Sequence, residues 1–260
     1  MPEFVEVEAY RCTVEPLVGE RIDAIDVIDD RILRRSEPAF VYGVIGGATI
    51  ERTRRIGKVL FLDLSGGHTA SLTFGLRGWL SLDGRVALAS GGWRDRQPKP
   101  EHVRLRLDVG GRIVELEDQL RLATLEVDID ESHLGSDVMV LTETQLIDVL
   151  RRTSRAVKTA LMDQQRIAGI GNLIADEIFY DAGVDPRRAA SDLDHDELSA
   201  LWAGVRRTRK RVLERNGSHQ GVLIQSGARE RGGRCPRCNV EIQRVQVGGR
   251  TTYFCPEHQH

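Results

Sequence analysis

The chain has 260 residues, of which 40% are hydrophobic and 29% charged, with a formal net charge of -2. This composition is ordinary for a globular protein and leaves room for two modest domains, which we expect here. No run approaches the ~18 apolar residues of a membrane span and no basic, apolar signal segment opens the chain, which excludes a membrane protein and predicts a cytoplasmic one. In that reducing compartment the four cysteines are expected to be ligands or core residues rather than disulfides.

The first ten residues, MPEFVEVEAY, place Pro2 directly after the initiator Met and carboxylates at Glu3 and Glu6. Glutamates favour the first turn of a helix, because its N-terminus carries partial positive charge, and a helix would run from here toward Leu17. If Met1 is removed, however, Pro2 becomes a secondary amine with a pKa of about 8, which is a competent nucleophile. By itself the decapeptide favours the helix.

From Ile22 to about Val127 the sequence consists of short apolar runs separated by glycine. Several runs alternate apolar and polar residues with period 2, as half-buried strands do, and Gly-Gly pairs mark the turns between them. This half is therefore predicted to be a β-sandwich or barrel. The segment from Leu88 to Glu101 lacks periodicity and is predicted to be an exposed loop.

After the acidic segment DIDESHLGSD, which we interpret as a linker, the apolar period becomes that of helices. Thr142 with Gln145, and Asp194 with Glu197, form capping boxes that predict two helix starts. The second helix is predicted to stop at Asn216–Gly217. A β-rich half followed by a helical half predicts the α+β fold class.

Between those helices, the sequence AGIGN combines a tight turn at Gly169 and Gly171 with Asn172 at the start of the next helix. The N–H groups of a helix start, together with the Asn side chain, suit a DNA phosphate. A structural hinge is the other interpretation of such a glycine-rich turn.

The C-terminal part of the chain is basic. Residues 205–260 hold 12 Lys and Arg against 4 Asp and Glu, which leaves the first 204 residues 25 of the total 37 against 35 of the total 39. Such asymmetry is typical of a localised contact with nucleic acid or a membrane surface. For the stretch VRRTRKRVLER alone, a solvated helix face is an equally good interpretation.

The C-terminal cysteines form a metal-binding pattern. Cys235, Cys238, Cys255 and His258 are spaced as C-x2-C-x16-C-x2-H, so that the span of a β-hairpin separates two pairs of donors. Four such donors complete the tetrahedral shell of one structural Zn²⁺ and leave no open position for catalysis. Unmetallated thiols are the alternative, and His260 could replace His258.

The same span carries Arg250. On a metal-bound turn an arginine can make bidentate contacts with a phosphate, and Tyr253 or Phe254 could pack under it. An exposed strand arginine is the alternative interpretation.

Three motifs, the N-terminal PExxEVE, the GIGNxxADE turn and the four-ligand zinc finger, together resemble the formamidopyrimidine-DNA glycosylase and endonuclease VIII family. The resemblance implies a β-sandwich domain that faces a helix-two-turn-helix domain across a DNA cleft, with one structural Zn²⁺ in a zinc-finger β-hairpin. The expected boundaries are 1–130 for the catalytic domain with its N-terminal helix, 131–138 for the linker, 139–217 for the helix-two-turn-helix domain and 218–260 for the zinc finger.

The resemblance also implies roles for individual residues. Pro2 would attack C1′ of a flipped nucleotide and form an iminium, while Glu3 would move protons and Glu6 would position the pair or organise water. Lys58 of RRIGKVLFL would hold a phosphate beside the nucleophile, unless it is a surface strand lysine. The implied DNA contacts are Asn172, Arg250, Gly169, Gly171 and Arg121.

The loops expected to fill the gap left by the flipped base depart from the family pattern. In TFGLRGWL, Leu76 occupies the position of a gap-filling residue, while Thr73 replaces the usual histidine. EDQLRLATL aligns with a segment that commonly reads DPRRFG, so Leu120 and Leu122 replace an arginine and a phenylalanine, and only Arg121 is retained. Leucines can wedge into a duplex, but they cannot hydrogen-bond a particular opposite base.

We therefore expect a bifunctional DNA glycosylase and AP lyase of base excision repair, a monomer that meets damaged duplex, bubble or single-stranded DNA at the nucleoid. The 17 residues from Ser218 to Arg234 are fewer than the capping loop expected of a member specific for 8-oxoguanine, which favours the endonuclease VIII-like branch. A non-catalytic or weakly catalytic DNA-structure binder on the same fold is the alternative. A zinc-finger regulator unrelated to repair would need neither Pro2 nor Lys58.

Overall fold

The computed structural model describes residues 2–34, 36–86 and 99–260. They form two compact units, 1–133 and 134–260. Within the described ranges no helix combines the length and apolar character needed to span a bilayer.

The elements of the first unit are, in chain order, α1 (Phe4–Val14), β1 (Ile22–Val27), α2 (Pro38–Ile45), β2 (Ile50–Ile56), β3 (Val59–Leu64), β4 (His68–Thr73), β5 (Trp79–Leu82), β6 (Arg85–Val86), β7 (Val103–Val109), β8 (Arg112–Glu117) and β9 (Thr124–Val127). The strands form two antiparallel sheets, with the orders β1-β7-β8-β5-β6 and β2-β3-β4-β9. Apolar side chains of both sheets and of α1 meet in one buried core. The predicted β-sandwich is therefore confirmed, while most of the loop predicted between Leu88 and Glu101 lies outside the described residues.

Strand β7 shows how the period-2 pattern produces this packing. Alternate residues from Val103 to Val109 are buried and Arg106 is exposed, as expected for a strand with one face on the core. Arg104 departs from the pattern, because it is buried and donates to the Asp118 carbonyl at 2.8 Å. Gly110 and Gly111 join β7 to β8 with φ values of 57° and 77°. Two successive residues in the left-handed region suit a tight two-residue hairpin turn, and glycine adopts that conformation without a Cβ clash.

Helix α1 begins where the first decapeptide predicted it. The backbone N–H of Glu3 donates to Oε2 of Glu6 at 2.8 Å, and the two residues form a capping box. A 3-10 turn from Glu15 to Leu17 continues the helix. The Tyr10 ring packs 4.5 Å from that of Phe74, measured between centroids, which fastens the helix to the sandwich core.

The second unit combines helices with two small sheets. Its elements are β10 (Ser136–Asp137), α3 (Glu143–Arg151), α4 (Val157–Leu161), β11 (Ile167–Ala168), α5 (Asn172–Ala182), α6 (His195–Glu214), α7 (Val222–Gln225), β12 (Gln243–Val247) and β13 (Arg250–Phe254). Strands β10 and β11 pair in parallel, whereas β12 and β13 form an antiparallel hairpin. The predicted α+β fold class is confirmed.

Both predicted capping boxes of the helical half are present. Gln145 N donates to Thr142 Oγ1 at 3.3 Å before α3, and Glu197 N donates to Asp194 Oδ1 at 2.8 Å before α6. Just beyond α6, Asn216 has a φ of 52°, which ends the helix near the predicted stop.

Candidate catalytic and nucleic-acid-binding site

The N-terminal residues singled out by the sequence are buried and fixed. Pro2 is buried, and Glu3 and Glu6 are 1% and 2% exposed. Because Glu6 accepts the backbone N–H of Glu3, it fixes the peptide that connects Pro2 to the Glu3 side chain. The helix-cap and catalytic interpretations are therefore compatible, since the cap supplies the fixed geometry that a nucleophile and its proton carrier need.

Lys58 lies half-buried in the turn between β2 and β3. Arg55 connects this turn to α1: its Nη1 donates to the Gly57 carbonyl at 2.9 Å, and its Nε lies 3.0 Å from Glu8 Oε2. The Arg55 side chain is only 5% exposed, whereas that of Glu8 is 25% exposed. The sequence did not reveal the Arg55–Glu8 ion pair, because nothing in the sequence indicates that a charge on a strand and a charge on a helix are partners.

The three leucines predicted to fill the gap left by a flipped base are exposed. Leu76, Leu120 and Leu122 are 42%, 43% and 37% accessible. The two loops that carry them adjoin, because a Cβ added at Gly75 would lie 2.6 Å from Cβ of Leu122. Adjoining exposed leucines are typical of an interaction surface, which supports the predicted role without testing it.

A buried carboxylate shapes the second of these loops. Asp118 is fully buried and accepts the backbone N–H groups of Leu120 at 3.0 Å, Leu122 at 2.6 Å and Ala123 at 2.8 Å. Three directional bonds to one side chain fix the path of the loop, so the exposure of its leucines is built into the fold. Sequence reasoning missed Asp118, although an acidic residue that opens a loop is a common acceptor for the N–H groups that follow.

Arg121 and Thr73, which belong to the same two sequence segments, both contact other residues of the first unit. Arg121 has a φ of 57°, its Nε lies 3.4 Å from Asp29 Oδ2, and its carbonyl accepts a hydrogen bond from Arg34 at 2.9 Å. Thr73 Oγ1 lies 2.8 Å from Thr124 Oγ1 across β4 and β9. The residue that replaces the family histidine therefore joins two strands.

The AGIGN turn is organised by a neighbouring glutamine. Gln164 Oε1 accepts the N–H of Gly169 at 2.9 Å, and its Nε2 donates to the Ile170 carbonyl at 2.9 Å. Gly169 has a φ of 114°, which requires glycine, whereas Gly171 is extended at -115°. Helix α5 begins at Asn172 as predicted.

Asn172 contacts the zinc-finger hairpin. Its Nδ2 donates to the Thr251 carbonyl at 2.9 Å, next to Arg250, so the structure brings two of the predicted DNA contacts together. Arg250 is exposed at the start of β13, beside an open cleft of about 270 Å³. The packing of Tyr253 or Phe254 under Arg250 stays a prediction.

Those two aromatic rings face other arginines. The Arg229 guanidinium lies 4.5 Å from the Tyr253 ring centroid, and that of Arg187 lies 4.4 Å from the Phe254 centroid. Cation–π contacts of this kind attach the hairpin to its own unit.

The four predicted zinc ligands form one cluster. Their donor atoms all lie within 4.8 Å of one another, with 3.6 Å between the sulfurs of Cys238 and Cys255 and 3.4 Å between Cys255 Sγ and His258 Nδ1. Neighbouring donors of a tetrahedral zinc site lie about 3.5–3.8 Å apart, so the cluster fits one Zn²⁺. His260 is exposed and uses its backbone to bond Gly183, so His258 is the fourth donor.

Three of the six basic residues in the α6 stretch VRRTRKRVLER contact acceptors elsewhere in their own unit. Asp181 lies 3.0 Å from Arg207 Nε and 3.8 Å from Arg211 Nη2, and it also approaches Arg237 of the zinc finger at 3.8 Å. Arg209 donates to the Val138 carbonyl at 2.8 Å. Arg206, Lys210 and Arg215 of the same stretch are exposed, and the choice between a DNA contact and a solvated helix face stays a prediction.

The structure combines a β-sandwich unit that has a buried proline at position 2 with a helical unit that carries a GIGN turn and a Cys3His finger. These features define the class of zinc-finger DNA glycosylases. Three family models match the chain: "Formamidopyrimidine-DNA glycosylase N-terminal domain" at residues 1–125, "Formamidopyrimidine-DNA glycosylase H2TH domain" at 135–222 and "Zinc finger found in FPG and IleRS" at 232–257.

Individual proteins agree with these models. Formamidopyrimidine-DNA glycosylases of Carboxydothermus hydrogenoformans and Roseiflexus sp. (strain RS-1) are 30% and 32% identical, and each alignment covers 100% of both chains. A solved complex between the LlFpg protein, a THF-DNA and an inhibitor shares the fold with a TM-score of 0.85 at 23% identity, covering 100% of both chains. A complex between Lactococcus lactis Fpg and an abasic site containing DNA gives 0.84 at 22% identity, covering 99% of each.

The chain belongs to the formamidopyrimidine-DNA glycosylase family. The expected class of enzyme, a bifunctional DNA glycosylase and AP lyase, and the structural zinc finger are thereby confirmed.

Proposed function

We propose that this chain removes oxidised bases from damaged DNA and cleaves the resulting abasic strand, with the Pro2 amine as nucleophile. The observation that carries the proposal is the buried start of α1, where Glu6 accepts the Glu3 N–H at 2.8 Å and so fixes the Pro2–Glu3 peptide. A secondary amine held next to a buried carboxylate has the arrangement that nucleophilic catalysis with proton transfer requires.

The reaction follows from these groups. The Pro2 nitrogen attacks C1′ of the flipped nucleotide, the glycosidic bond breaks, and the base leaves with a proton delivered through Glu3. The C1′–O4′ bond then opens, O4′ takes a proton through Glu3, and the nitrogen lone pair forms the C1′=N iminium. Loss of a C2′ proton then expels the 3′ phosphate, and water hydrolyses the iminium to restore the amine. Glu6 acts through Glu3, and Lys58 neutralises a phosphate near the nucleophile.

Asn172, Arg250 and the turn at Gly169 and Gly171 hold the DNA backbone in this proposal. Cys235, Cys238, Cys255 and His258 would hold a structural Zn²⁺, which would fix the turns of the finger. Strand β13 places Arg250 beside the start of α5. Exposed guanidinium and helix-start N–H groups are common phosphate ligands, and neither reads sequence.

We further propose that the substrate preference resembles that of the endonuclease VIII-like branch: oxidised pyrimidines and ring-opened or further-oxidised purines, with weak dependence on the opposite base. Leu120 and Leu122 support this, because their side chains carry no group that can hydrogen-bond an orphaned base. The segment 218–234 supports it too, since Leu223 and Ala228 are packed into a core cluster with Tyr180 instead of forming a loose cap.

The test of the proposed chemistry is covalent trapping. Borohydride should link the wild-type chain to abasic-site DNA, and mass spectrometry should find the linkage on a chain that starts at Pro2. Pro2→Gly should lose most of the trapping while it still binds the DNA. Equal trapping by the variant would assign the nucleophile to another amine.

A further inference from the structure

A carboxylate of α5 that belongs to the GIGNxxADE motif, but to which the sequence assigned no role, is buried in the second unit. Asp176 is fully buried, Lys158 Nζ lies 2.5 Å from its Oδ1, and Arg229 pairs with its Oδ2. Burial raises the pKa of Asp176, and the two cations oppose that shift. A charge buried this deeply is tolerated only when its partners are present, so the three residues form one unit.

This cluster reaches the strand that begins with Arg250. Tyr253 N donates to Asp176 Oδ2 at 3.3 Å, and Lys158 Nζ also contacts Thr252 Oγ1 at 2.8 Å. The Thr252 hydroxyl in turn donates to the Arg250 carbonyl at 3.0 Å. A continuous chain of hydrogen bonds therefore runs from the Asp176 carboxylate to the backbone of Arg250.

These bonds fix the register of β13 as well as its distance from α5. Side chains alternate along a strand, so a shift of one residue would turn the Thr252 hydroxyl away from Lys158 and remove the Tyr253 N–H from Asp176. An apolar core at this point would stabilise the unit without distinguishing one register from the next. Buried polar groups that specify a register are the best-attested use of such clusters.

We infer that Asp176 is a positioning residue for Arg250: it sets, through Lys158, Thr252 and Tyr253, where the guanidinium lies relative to Asn172. The inference rests on the proposed function, because it assumes that Arg250 binds a DNA phosphate. Arg229 contributes the second cation and stacks 4.5 Å from the Tyr253 ring, which joins the segment 218–234 to the same point.

The experiment compares Asp176→Asn with Asp148→Asn, the same change at an exposed position of α3 that lies away from β13 in the sequence and on another helix. Affinity is measured on a duplex with an uncleavable abasic-site analogue, beside zinc content and the melting curve. We expect Asp176→Asn to keep one zinc and bind at least about tenfold more weakly, a loss of about 1.4 kcal/mol. The control should bind within about twofold of wild type.

A double-mutant cycle with Arg250→Ala identifies the route of the effect. If Asp176 acts through Arg250, adding Asp176→Asn to Arg250→Ala costs no further affinity, whereas additive losses overturn the inference. An Arg250→Ala variant that binds like wild type would instead contradict the phosphate role proposed for Arg250.

Thr252→Val provides a second route should Asp176→Asn fail to fold. It removes only the hydroxyl that connects Lys158 to the Arg250 carbonyl and keeps the side-chain shape. Weaker DNA binding at unchanged zinc content supports the inference, and wild-type affinity overturns it.

Discussion

The carboxylate of Glu8 lies 3.0 Å from Nε of Arg55, and this pair joins α1, the helix capped by Glu3, to the turn that carries Lys58. We predict that Arg55→Met slows borohydride trapping on abasic-site DNA about tenfold, because a displacement of an ångström between reacting groups has effects of that size or larger. Arg55→Lys should recover part of the rate. Arg52→Met, on the same strand but exposed, is the matched control and should trap at the wild-type rate.

Asp118 should control how the leucine loop is presented. Asp118→Ala leaves three backbone N–H groups without their acceptor, and we expect a loss of about 2–4 kcal/mol in the free energy of unfolding. Excision from duplex DNA should fall more than excision from single strands, where no gap has to be filled. Asp108→Ala, which removes an exposed acceptor for Gly111 N, should change neither quantity appreciably. Equal loss on both DNA forms would contradict this role for the loop.

Zinc should be stoichiometric and should support DNA binding. We expect metal analysis to find one zinc per chain. We also expect weaker DNA binding after chelation or in Cys238→Ser, because β13 and Arg250 then lose the support of the metal-bound turns. Cys12→Ser is the control, since this exposed cysteine of α1 lies outside the cluster. Active protein without zinc would refute the assignment.

The substrate preference can be measured under single-turnover conditions. Thymine glycol and a hydantoin should be excised faster than 8-oxoguanine opposite cytosine, and bubbles or single strands should be relatively good substrates because their bases cost less to extrude. The comparison uses each lesion in duplex and single-stranded DNA. If 8-oxoguanine in the duplex were removed fastest, the proposed substrate preference would be wrong.

Glu177 should give the protein a specific pH dependence of stability. Burial raises its pKa to about 7, even though its carboxylate accepts the N–H groups of Leu223 and Ile224. The folded chain therefore keeps a proton that the unfolded chain releases near its lower, ordinary pKa. Stability contributed by this group falls as the pH rises between those two values, by up to about 1.4 kcal/mol per unit.

The variant Glu177→Gln tests that sign. Because the amide cannot ionise, the variant should gain stability relative to wild type as the pH rises toward about 7, and the difference should level off above it. Chemical denaturation of both proteins from pH 5 to 8, roughly the range where this group titrates, measures the difference. A constant difference across the range would show that Glu177 does not titrate there.

Local patterns made much of this fold predictable. Period-2 alternation located the strands, and the capping boxes at Thr142 and Asp194 located two helices, because both signals depend on neighbours within four residues. The zinc cluster was equally accessible, since thiol and imidazole donors at fixed spacings have few other uses. The four ligands could be identified without any knowledge of the tertiary structure beyond a hairpin between them.

Long-range pairing was not predictable in the same way. Lys158, Asp176 and Arg229 are far apart in the sequence, and each resembles a solvated surface charge until the fold buries it. The Arg55–Glu8 pair is hidden for the same reason. Tertiary packing determines which charged residues become partners, and a short window of neighbouring residues carries no information about it.

The contacts of Asp181 have a consequence for binding thermodynamics. Affinity for DNA falls with ionic strength in proportion to the phosphates that a protein neutralises, with a slope of about -0.9 per phosphate in a plot of log K against log salt. Arg207, Arg209 and Arg211 are committed to Asp181 and to a backbone carbonyl, so they displace few counterions from DNA. The affinity of the chain for damaged DNA should therefore fall less steeply with ionic strength than that of a protein whose 12 C-terminal basic residues all lay on the phosphates.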